Sequence, residues 1–185
     1  MFQRRVGEAI EIRQFDLGDA GAIFALVHRN REYLRQWLPW VDRTRSAAEV
    51  REFIVRIREQ YFSNHGPNAG IWIEGSLAGS IGCHPIDWPN RTCSIGYWID
   101  EAHQGHGIIT RCCAVLLDFL FGELDLHRVV IQCGTANHKS CRVPERMGFT
   151  REGIAREAEW VNDRWVDLVV WSMLASEWRT HRPVP

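Results

Sequence analysis

The sequence has no excess of charge of either sign. Its 22 lysines and arginines are balanced by 23 aspartates and glutamates, which gives a formal net charge of −1 at pH 7. A nucleic-acid-binding domain usually carries a basic face and a high isoelectric point, and a polybasic membrane anchor needs a cluster of lysines and arginines. We therefore expect neither direct nucleic-acid binding nor electrostatic attachment to a membrane.

Long apolar runs are also absent. The most apolar stretch, residues 115–121, is interrupted by Asp118 and is far shorter than the ~20 residues that a transmembrane helix needs. The basic residues Arg4 and Arg5 are followed by a valine, a glycine and a glutamate rather than by the apolar segment of a secretory signal peptide. We expect no membrane span and a cytoplasmic location.

Closely spaced cysteine pairs are missing as well. The chain has six cysteines, and none of them forms a CxxC pair. Structural zinc ligands usually occur as such pairs, and disulfides belong to oxidising compartments. We therefore expect free, mostly buried thiols and no metal site.

The length and composition indicate one globular domain that spans residues 1–185. Hydrophobic residues make up 45% of the 185 residues and charged residues 24%, as in ordinary soluble domains. A chain of this size can bury roughly 70% of its unfolded surface, so it needs no disulfide or metal to fold.

Hydrophobic periodicity and turn signals predict an α+β fold. Strands are predicted at residues 9–15, 71–74, 77–85, 92–99, 127–133, 154–161 and 164–174, and helices at residues 16–38, 46–61, 107–121 and 140–147. The helix from Gly107 would connect two parallel strands, 92–99 and 127–133, while the other strands form antiparallel hairpins. The sheet is therefore mixed and mostly antiparallel.

The most informative segment is the glycine-containing loop between the strand at 92–99 and the helix that follows. Gly105 and Gly107 would expose backbone N–H groups next to the positive end of the helix dipole, which is a typical binding place for phosphate. The loop matches neither the Walker pattern nor the GxGxxG dinucleotide pattern. On its own it is equally compatible with a helix start that binds no ligand.

Two motifs make the chain resemble the GCN5-related N-acetyltransferases (GNAT superfamily). Gln104-Gly105-His106-Gly107-Ile108-Ile109 is similar to the family signature Q/R-x-x-G-x-G/A, with Ile109 at a position where glycine or alanine is commoner. Asn137-His138-Lys139-Ser140, followed by Met147-Gly148-Phe149, resembles a second family segment. Further segments, such as Leu34 to Trp40, are similar to the RimJ/RimL branch, which acetylates the N-termini of ribosomal proteins.

The resemblance implies a GNAT-like fold, with a splayed pair of parallel strands and helices on both faces of the sheet. It also implies acetyl-coenzyme A as the cosubstrate, with its pyrophosphate on the loop amides and its pantetheine arm along the splayed strand. The implied cofactor-binding residues are Tyr97, Trp98, Ile99, Gln104, Gly105, His106, Gly107, Ile108, Ile109, Thr110, Asn137 and Ser140.

Acetyl transfer from a thioester needs a base to remove the amine proton and a proton for the leaving thiolate. We expect Glu159 to be the base and Ser140 the acid, 19 residues apart, as the resemblance to the ribosomal branch implies. Many members of the superfamily have a tyrosine as the proton donor where this chain has Pro144. Because proline lacks an N–H, we expect the helix to begin just before Pro144 or to be distorted there.

The acceptor is expected to be the N-terminal α-amine of a protein or peptide, such as a ribosomal protein. Trp37, Trp40 and Trp160 are candidates for lining its pocket, although tryptophans more often belong to the core. Two alternatives stay open: acetylation of a small molecule (a polyamine, an aminoglycoside or a toxin), and a sensor that binds acyl-coenzyme A without turnover. A homodimer formed through the aromatic closing hairpin is possible.

Overall fold

One eight-stranded sheet organises the fold. The computed structural model describes residues 1–181. Its strands are β1 (Gln3–Arg5), β2 (Ile10–Gln14), β3 (Asn68–Ile73), β4 (Ser76–Cys83), β5 (Thr92–Ile99), β6 (Arg128–Gly134), β7 (Thr150–Val161) and β8 (Arg164–Leu174). Its helices are α1 (Ala20–Arg29), α2 (Arg31–Leu34), α3 (Ala47–Phe62), α4 (Ile108–Gly122), α5 (His138–Arg146) and α6 (Ala175–His181).

The strand order is β1-β2-β3-β4-β5-β6-β8-β7. Strands β5 and β6 pair in parallel, and the other neighbouring strands pair antiparallel. Helix α4 makes the crossover between the two parallel strands, as a parallel pair requires. The predicted fold class, a mixed sheet with a splayed parallel pair and helices on both faces, is confirmed.

The two faces of the sheet are covered differently. Helix α4 buries Cys112, Leu116 and Leu120 against strand residues such as Ile71 and Ile95 on one face. On the other face, α1 and α3 pack on β3 and β4 and form a second core. Beyond β4 this second face opens into a large cavity above β5, β6 and β8.

Local signals placed several elements correctly. The Ser46 side chain accepts a hydrogen bond from the Glu49 N–H at 3.3 Å, and a Glu49 carboxylate oxygen accepts one from the Ser46 N–H at 3.0 Å. This capping box begins α3 as predicted. Asn162 and Asp163 both have positive φ in the tight turn between β7 and β8, which confirms the predicted hairpin.

Of the two alternatives predicted around Pro144, a helix that begins just before the proline is wrong. Helix α5 begins at His138, where Asn137 caps it by accepting a hydrogen bond from the Ser140 N–H at 3.2 Å, and it continues through Pro144. The missing Pro144 N–H would have bonded the Ser140 carbonyl. The Tyr97 hydroxyl donates to that carbonyl instead, at 3.2 Å.

Candidate active site

Strands β5 and β6 separate along their length. They pair only where residues 92–94 lie beside residues 128–130, although β5 continues to Ile99 and β6 to Gly134. The backbone groups of β5 after Ser94 that face β6 therefore have no ladder partner there. Because buried backbone groups need hydrogen bonds, this gap can accept an extended ligand arm.

Contacts from α1 fix the loop that follows β5. The Asp100 carboxylate accepts a hydrogen bond from Arg29 at 2.7 Å and one from the Ala102 N–H at 3.3 Å. The Asn30 side chain accepts one from the Glu101 N–H at 3.0 Å. Burial would raise the pKa of Asp100, but these hydrogen bonds outweigh burial and lower it. Asp100 therefore stays ionised and anchors the start of the loop.

The loop presents its main chain to open space. Gly105 and Gly107 have φ of +79° and +69°, and a Cβ added to either would meet no atom within 4 Å. Gly107 is also the N-cap of the 15-residue helix α4, whose first turn receives no side-chain cap. Free N–H groups at the positive end of a helix dipole form an anion site.

A basic face of α5 stands beside this loop, and the sequence analysis did not single it out. The Lys139 ammonium donates to the Gln104 side chain at 2.8 Å. Lys139, Arg142 and Arg146 all line the main cavity. Their spacing of three and four residues, which puts them on one helix face, was the signal available in the sequence.

One cavity of about 1210 Å³ brings together most of the residues that the sequence singled out. These are Trp37, Trp40, Tyr97, Trp98, Ile99, Gln104, Gly105, Gly107, Ile108, Ile109, Thr110, Asn137, Ser140 and Glu159. The phosphate-type loop, the strand gap and both candidate acid–base residues therefore share one space.

Two of the predicted residues lie elsewhere. His106 lines a smaller cavity of about 450 Å³, together with His103 and Arg111, and not the main cavity. Trp160 is 51% exposed and packs edge-on against Trp165 at 5.1 Å between ring centroids. Because side chains alternate along a strand, Glu159 in the cavity turns Trp160 to the opposite face. Dimerisation through this hairpin stays a prediction.

Hydrogen bonds and burial define the surroundings of Ser140. Its hydroxyl lies 3.3 Å from the Tyr97 oxygen and 3.4 Å from the Cys133 sulfur, and can donate to either. Burial raises the pKa of Tyr97 well above its ordinary value and that of Cys133 to about 12. Both groups therefore stay protonated at neutral pH, and Cys133 is not a thiolate nucleophile.

Glu159 follows an irregularity in β7. The pairing register with β8 jumps between Ala155 and Glu159, and the Glu157 N–H in this bulge donates to the Asp167 carboxylate at 2.7 Å. The two extra residues of β7 move Glu159 along β8 and leave it on the face that it shares with Ala155. Glu159 is half-buried, and burial raises its pKa, which suits a carboxylate that works as a general base near neutral pH.

The tip of the β7–β8 hairpin closes one side of the cavity. The Asn162 side-chain amide donates to the Arg35 carbonyl, and Arg164 donates to the Gln36 carbonyl at 2.9 Å. These bonds hold the segment that carries Trp37 and Trp40 against the hairpin. The ring of Trp40 lies 6.0 Å from that of Trp98, centroid to centroid, so the cavity has an aromatic wall at this end.

Neither a metal site nor a membrane span is formed within residues 1–181. Within residues 1–181, no three His, Cys, Asp or Glu side chains come together as a metal site. In the same range, no helix combines the length and the apolar character that crossing a bilayer requires. The cysteines, all within this range, are free thiols, as predicted.

Comparison with known proteins gives consistent matches. Residues 9–150 match the family model "Acetyltransferase (GNAT) domain". The "Putative ribosomal N-acetyltransferase YdaF" of Bacillus subtilis (strain 168) is 42% identical over 179 residues, which cover 96% of this chain and 98% of that protein.

Two solved structures are similar over nearly the whole length. RimL, a ribosomal alpha-N-protein acetyltransferase in complex with coenzyme A, is 28% identical with a TM-score of 0.89, and the match covers 92% of this chain and 96% of that one. MccE, a microcin C7 self-immunity acetyltransferase in complex with acetyl-CoA and AMP, is 26% identical with a TM-score of 0.86, and the match covers 91% and 94% of the two chains.

Proposed function

The chain belongs to the GNAT family of acetyltransferases, and from this premise we propose that it moves the acetyl group of acetyl-coenzyme A to the N-terminal α-amine of a protein. A ribosomal protein is the acceptor that its relatives favour, since RimL is a ribosomal alpha-N-protein acetyltransferase. The transfer is direct, from thioester to amine, with Glu159 as the base and Ser140 as the acid.

The observation that carries the proposal is the continuity of one cavity from the open loop amides to Glu159. The amides of residues 104–109 would hold the pyrophosphate, with Lys139 adding a positive charge beside them. The pantetheine arm would enter the gap between β5 and β6, where the free backbone groups of Tyr97 to Ile99 can pair with its amides. The thioester would then lie next to Ser140.

Direct transfer fits the protonation states around the thioester. The Cys133 thiol has a pKa of about 12, so an acetylated cysteine intermediate is disfavoured at neutral pH. The amine nitrogen attacks the carbonyl carbon while Glu159 takes the amine proton, directly or through water. The carbon–sulfur bond breaks, and the Ser140 hydroxyl gives a proton to the sulfur and recovers one from water.

An α-amine suits this base better than a lysine side chain does. The α-amine has an ordinary pKa near ~7.7–8.0, against ~10.4 for lysine, so far less free energy is needed to obtain the neutral nucleophile at pH 7. A carboxylate whose pKa is raised by burial can remove the remaining proton. This difference supports an N-terminal α-amine over a lysine side chain as the acceptor.

Thiol release from acetyl-coenzyme A tests the proposal. Peptides that begin with serine or alanine should release free coenzyme A thiol, and the same peptides with a blocked N-terminus should release it no faster than buffer does. Equal release with the blocked peptides would contradict transfer to the α-amine.

A small-molecule acceptor is the second candidate, and the likeness to MccE favours it. That enzyme is a self-immunity acetyltransferase bound to AMP, and its fold matches over nearly the whole chain. Faster turnover with spermidine or kanamycin than with any peptide would favour this candidate over the first.

A further inference from the structure

The smaller cavity, of about 450 Å³, has no part in the proposed acetyl transfer. It is formed by the turn between β1 and β2, the last residue of β3, and the first turn of α4 with the loop before it. Its volume falls within the ~300–1,000 Å³ that is usual for small-molecule sites. It has room for about fifteen water molecules at ~30 Å³ each, so a ligand that fills it is an organic molecule rather than a single inorganic ion.

Basic side chains without partners line this cavity. Arg111 lies on the first turn of α4 and His106 in the loop before it, and both are exposed. Within residues 1–181, neither of these side chains makes a hydrogen bond or an ion pair. A guanidinium with all its N–H donors free is well suited to bind two oxygens of a phosphate group. The smaller cavity can therefore hold a phosphate.

Apolar surface and one carboxylate also line the smaller cavity. Ile10, Ile73 and Ile108 provide apolar surface that the flat ring of a ligand can cover. Glu8, in the turn between β1 and β2, is exposed and makes no hydrogen bond or ion pair in the described part of the chain. A carboxylate repels phosphate, but it accepts hydrogen bonds from ribose hydroxyls, as acidic residues do in dinucleotide sites.

We propose that the smaller cavity is a binding site for a nucleoside monophosphate, separate from the site for acetyl-coenzyme A. The phosphate binds Arg111 and His106, the base covers the three isoleucines, and the ribose hydroxyls donate to Glu8. None of the three polar residues lines the main cavity. The site therefore does not depend on the proposed acetyl transfer.

The anion loop connects the two cavities. His103 and Ile108 line both of them, while Gly105 and Gly107 line only the main cavity. A nucleotide phosphate in the smaller cavity would thus lie close to the pyrophosphate of acetyl-coenzyme A on the loop amides, and like charges repel. We expect each ligand to lower the affinity for the other by about threefold, and by the same factor, because such coupling is reciprocal.

Calorimetric titration of AMP into the protein saturated with coenzyme A tests the site. One AMP should bind per chain, and Arg111→Ala should weaken its binding about tenfold, because a charge-assisted contact is lost. Arg179→Ala removes an exposed arginine that lines neither cavity and should leave the affinity unchanged. AMP that does not bind, or that binds Arg111→Ala as tightly as the wild type, overturns the proposal.

Glu8→Ala distinguishes a nucleotide site from a site for any phosphate. This variant should bind AMP about fivefold more weakly, because the ribose hydroxyls lose their acceptor. It should bind inorganic phosphate no more weakly than the wild type, because phosphate has no ribose and is repelled by the carboxylate. An unchanged affinity for AMP in Glu8→Ala would overturn the assignment of a nucleotide.

Kinetics show whether AMP and acetyl-coenzyme A bind together. The KM for acetyl-coenzyme A should rise with the AMP concentration and level off at about three times its starting value. A rise without limit would mean that AMP competes inside the main cavity, which overturns the separate site. The calorimetric test needs no turnover, so a failure to acetylate any amine would contradict only the proposed function.

Discussion

At the scale of single residues, Glu159 carries the largest share of the proposed chemistry. Its carboxylate lines the same cavity as Ser140, and burial raises its pKa. Its neighbour Glu157 is on the same strand but exposed, outside the cavity lining. Substitutions of Glu159 and Glu157 therefore provide a test and its control on the same strand.

Glu159→Gln should lower kcat by about 10²–10³ while the KM for acetyl-coenzyme A stays nearly constant, because the base is lost and the cofactor contacts are not. Glu157→Gln should keep the wild-type rate. Steady-state thiol release measures both variants. A wild-type kcat in Glu159→Gln would remove the residue from the mechanism.

Glu159 should also determine how the activity depends on pH. The base must be ionised, so activity falls as the pH drops through its pKa, and this fall lies above the ordinary range of glutamate because burial raises the pKa. The acid limb of the kcat/KM profile should move or disappear in Glu159→Gln.

Tyr97 is a positioning residue for Ser140. Its hydroxyl donates to the carbonyl that Pro144 leaves without a backbone donor. Tyr97→Phe should cost about 1 kcal/mol, lower the melting temperature by about 2–4 °C and reduce kcat more than it changes the KM for acetyl-coenzyme A.

Adding Pro144→Ala to Tyr97→Phe tests whether these losses arise because the Ser140 carbonyl loses its hydrogen-bond donor. Alanine restores a backbone N–H four residues after Ser140, so the double variant should regain part of the lost stability and rate. Additive losses in the double variant would show that the hydroxyl acts in some other way.

Only part of this site could be predicted at the residue scale. Ser140 and Glu159 were predicted through the family resemblance, and the structure puts both on one cavity. The contact of Tyr97 with Ser140 joins positions 43 residues apart, and no local pattern reveals such a contact. Trp160 turns away from the cavity because it alternates with Glu159 along β7, so the two residues could not both have lined the cavity.

At the scale of secondary-structure elements, α5 combines two tasks. Its start holds Ser140 near the gap between β5 and β6, and its basic face lies along the cavity. A helix that presents Lys139 and Arg142 to the loop would attract the phosphates of the cofactor through a partly exposed electrostatic contact.

Lys139→Ala should weaken coenzyme A binding by about fivefold, and the difference should shrink as salt is added, because exposed charge contacts are screened. Arg5→Ala removes an exposed positive charge far from the cavity and should have no effect. Calorimetric titration at low and high salt measures both. Equal affinities of wild type and Lys139→Ala at low salt would exclude the contact.

A second element-scale feature joins three strands. Arg128 on β6 contacts both carboxylate oxygens of Glu152 on β7 at 2.6 Å, and Ser172 on β8 donates to the same carboxylate at 2.8 Å. These hydrogen bonds, that from Arg128 first, lower the pKa of Glu152 from 4.5 to about 2. Because the pKa of Glu152 is lower in the folded than in the unfolded protein, its ionised carboxylate stabilises the fold when the pH is above about 4.5. This stabilisation is lost as the pH falls from about 4.5 to about 2.

Glu152→Gln should therefore destabilise the protein near pH 7 and have no effect near pH 2. The cost at pH 7 is about 1 kcal/mol or less, because the carboxylate is 39% exposed and screened by solvent. Denaturant unfolding across this pH range measures it. A difference from wild type that persists unchanged to pH 2 would contradict the assignment.

Elements with strong local signals could be predicted, and the others could not. Helix α3 has a capping box and α4 an apolar face, so both were placed within a residue or two. Strand β1 has three residues and its hydrogen bonds come from β2, which leaves no periodicity to detect. The gap between β5 and β6 depends on two strands distant in sequence and was implied only by the family resemblance.

At the scale of the whole molecule, one cavity holds both sides of the proposed reaction. The anion loop, the basic face of α5, the aromatic wall and the β7–β8 hairpin all line it. The strand gap opens into it. A cofactor and an acceptor can thus approach the same point from different directions, which direct transfer requires.

A crystal structure of the protein with coenzyme A tests this central claim most directly. We expect the pyrophosphate on the amides of residues 104–109, the pantetheine arm between β5 and β6, and the sulfur beside Ser140. Coenzyme A bound outside the strand gap, or with its sulfur remote from both Ser140 and Glu159, would contradict the account.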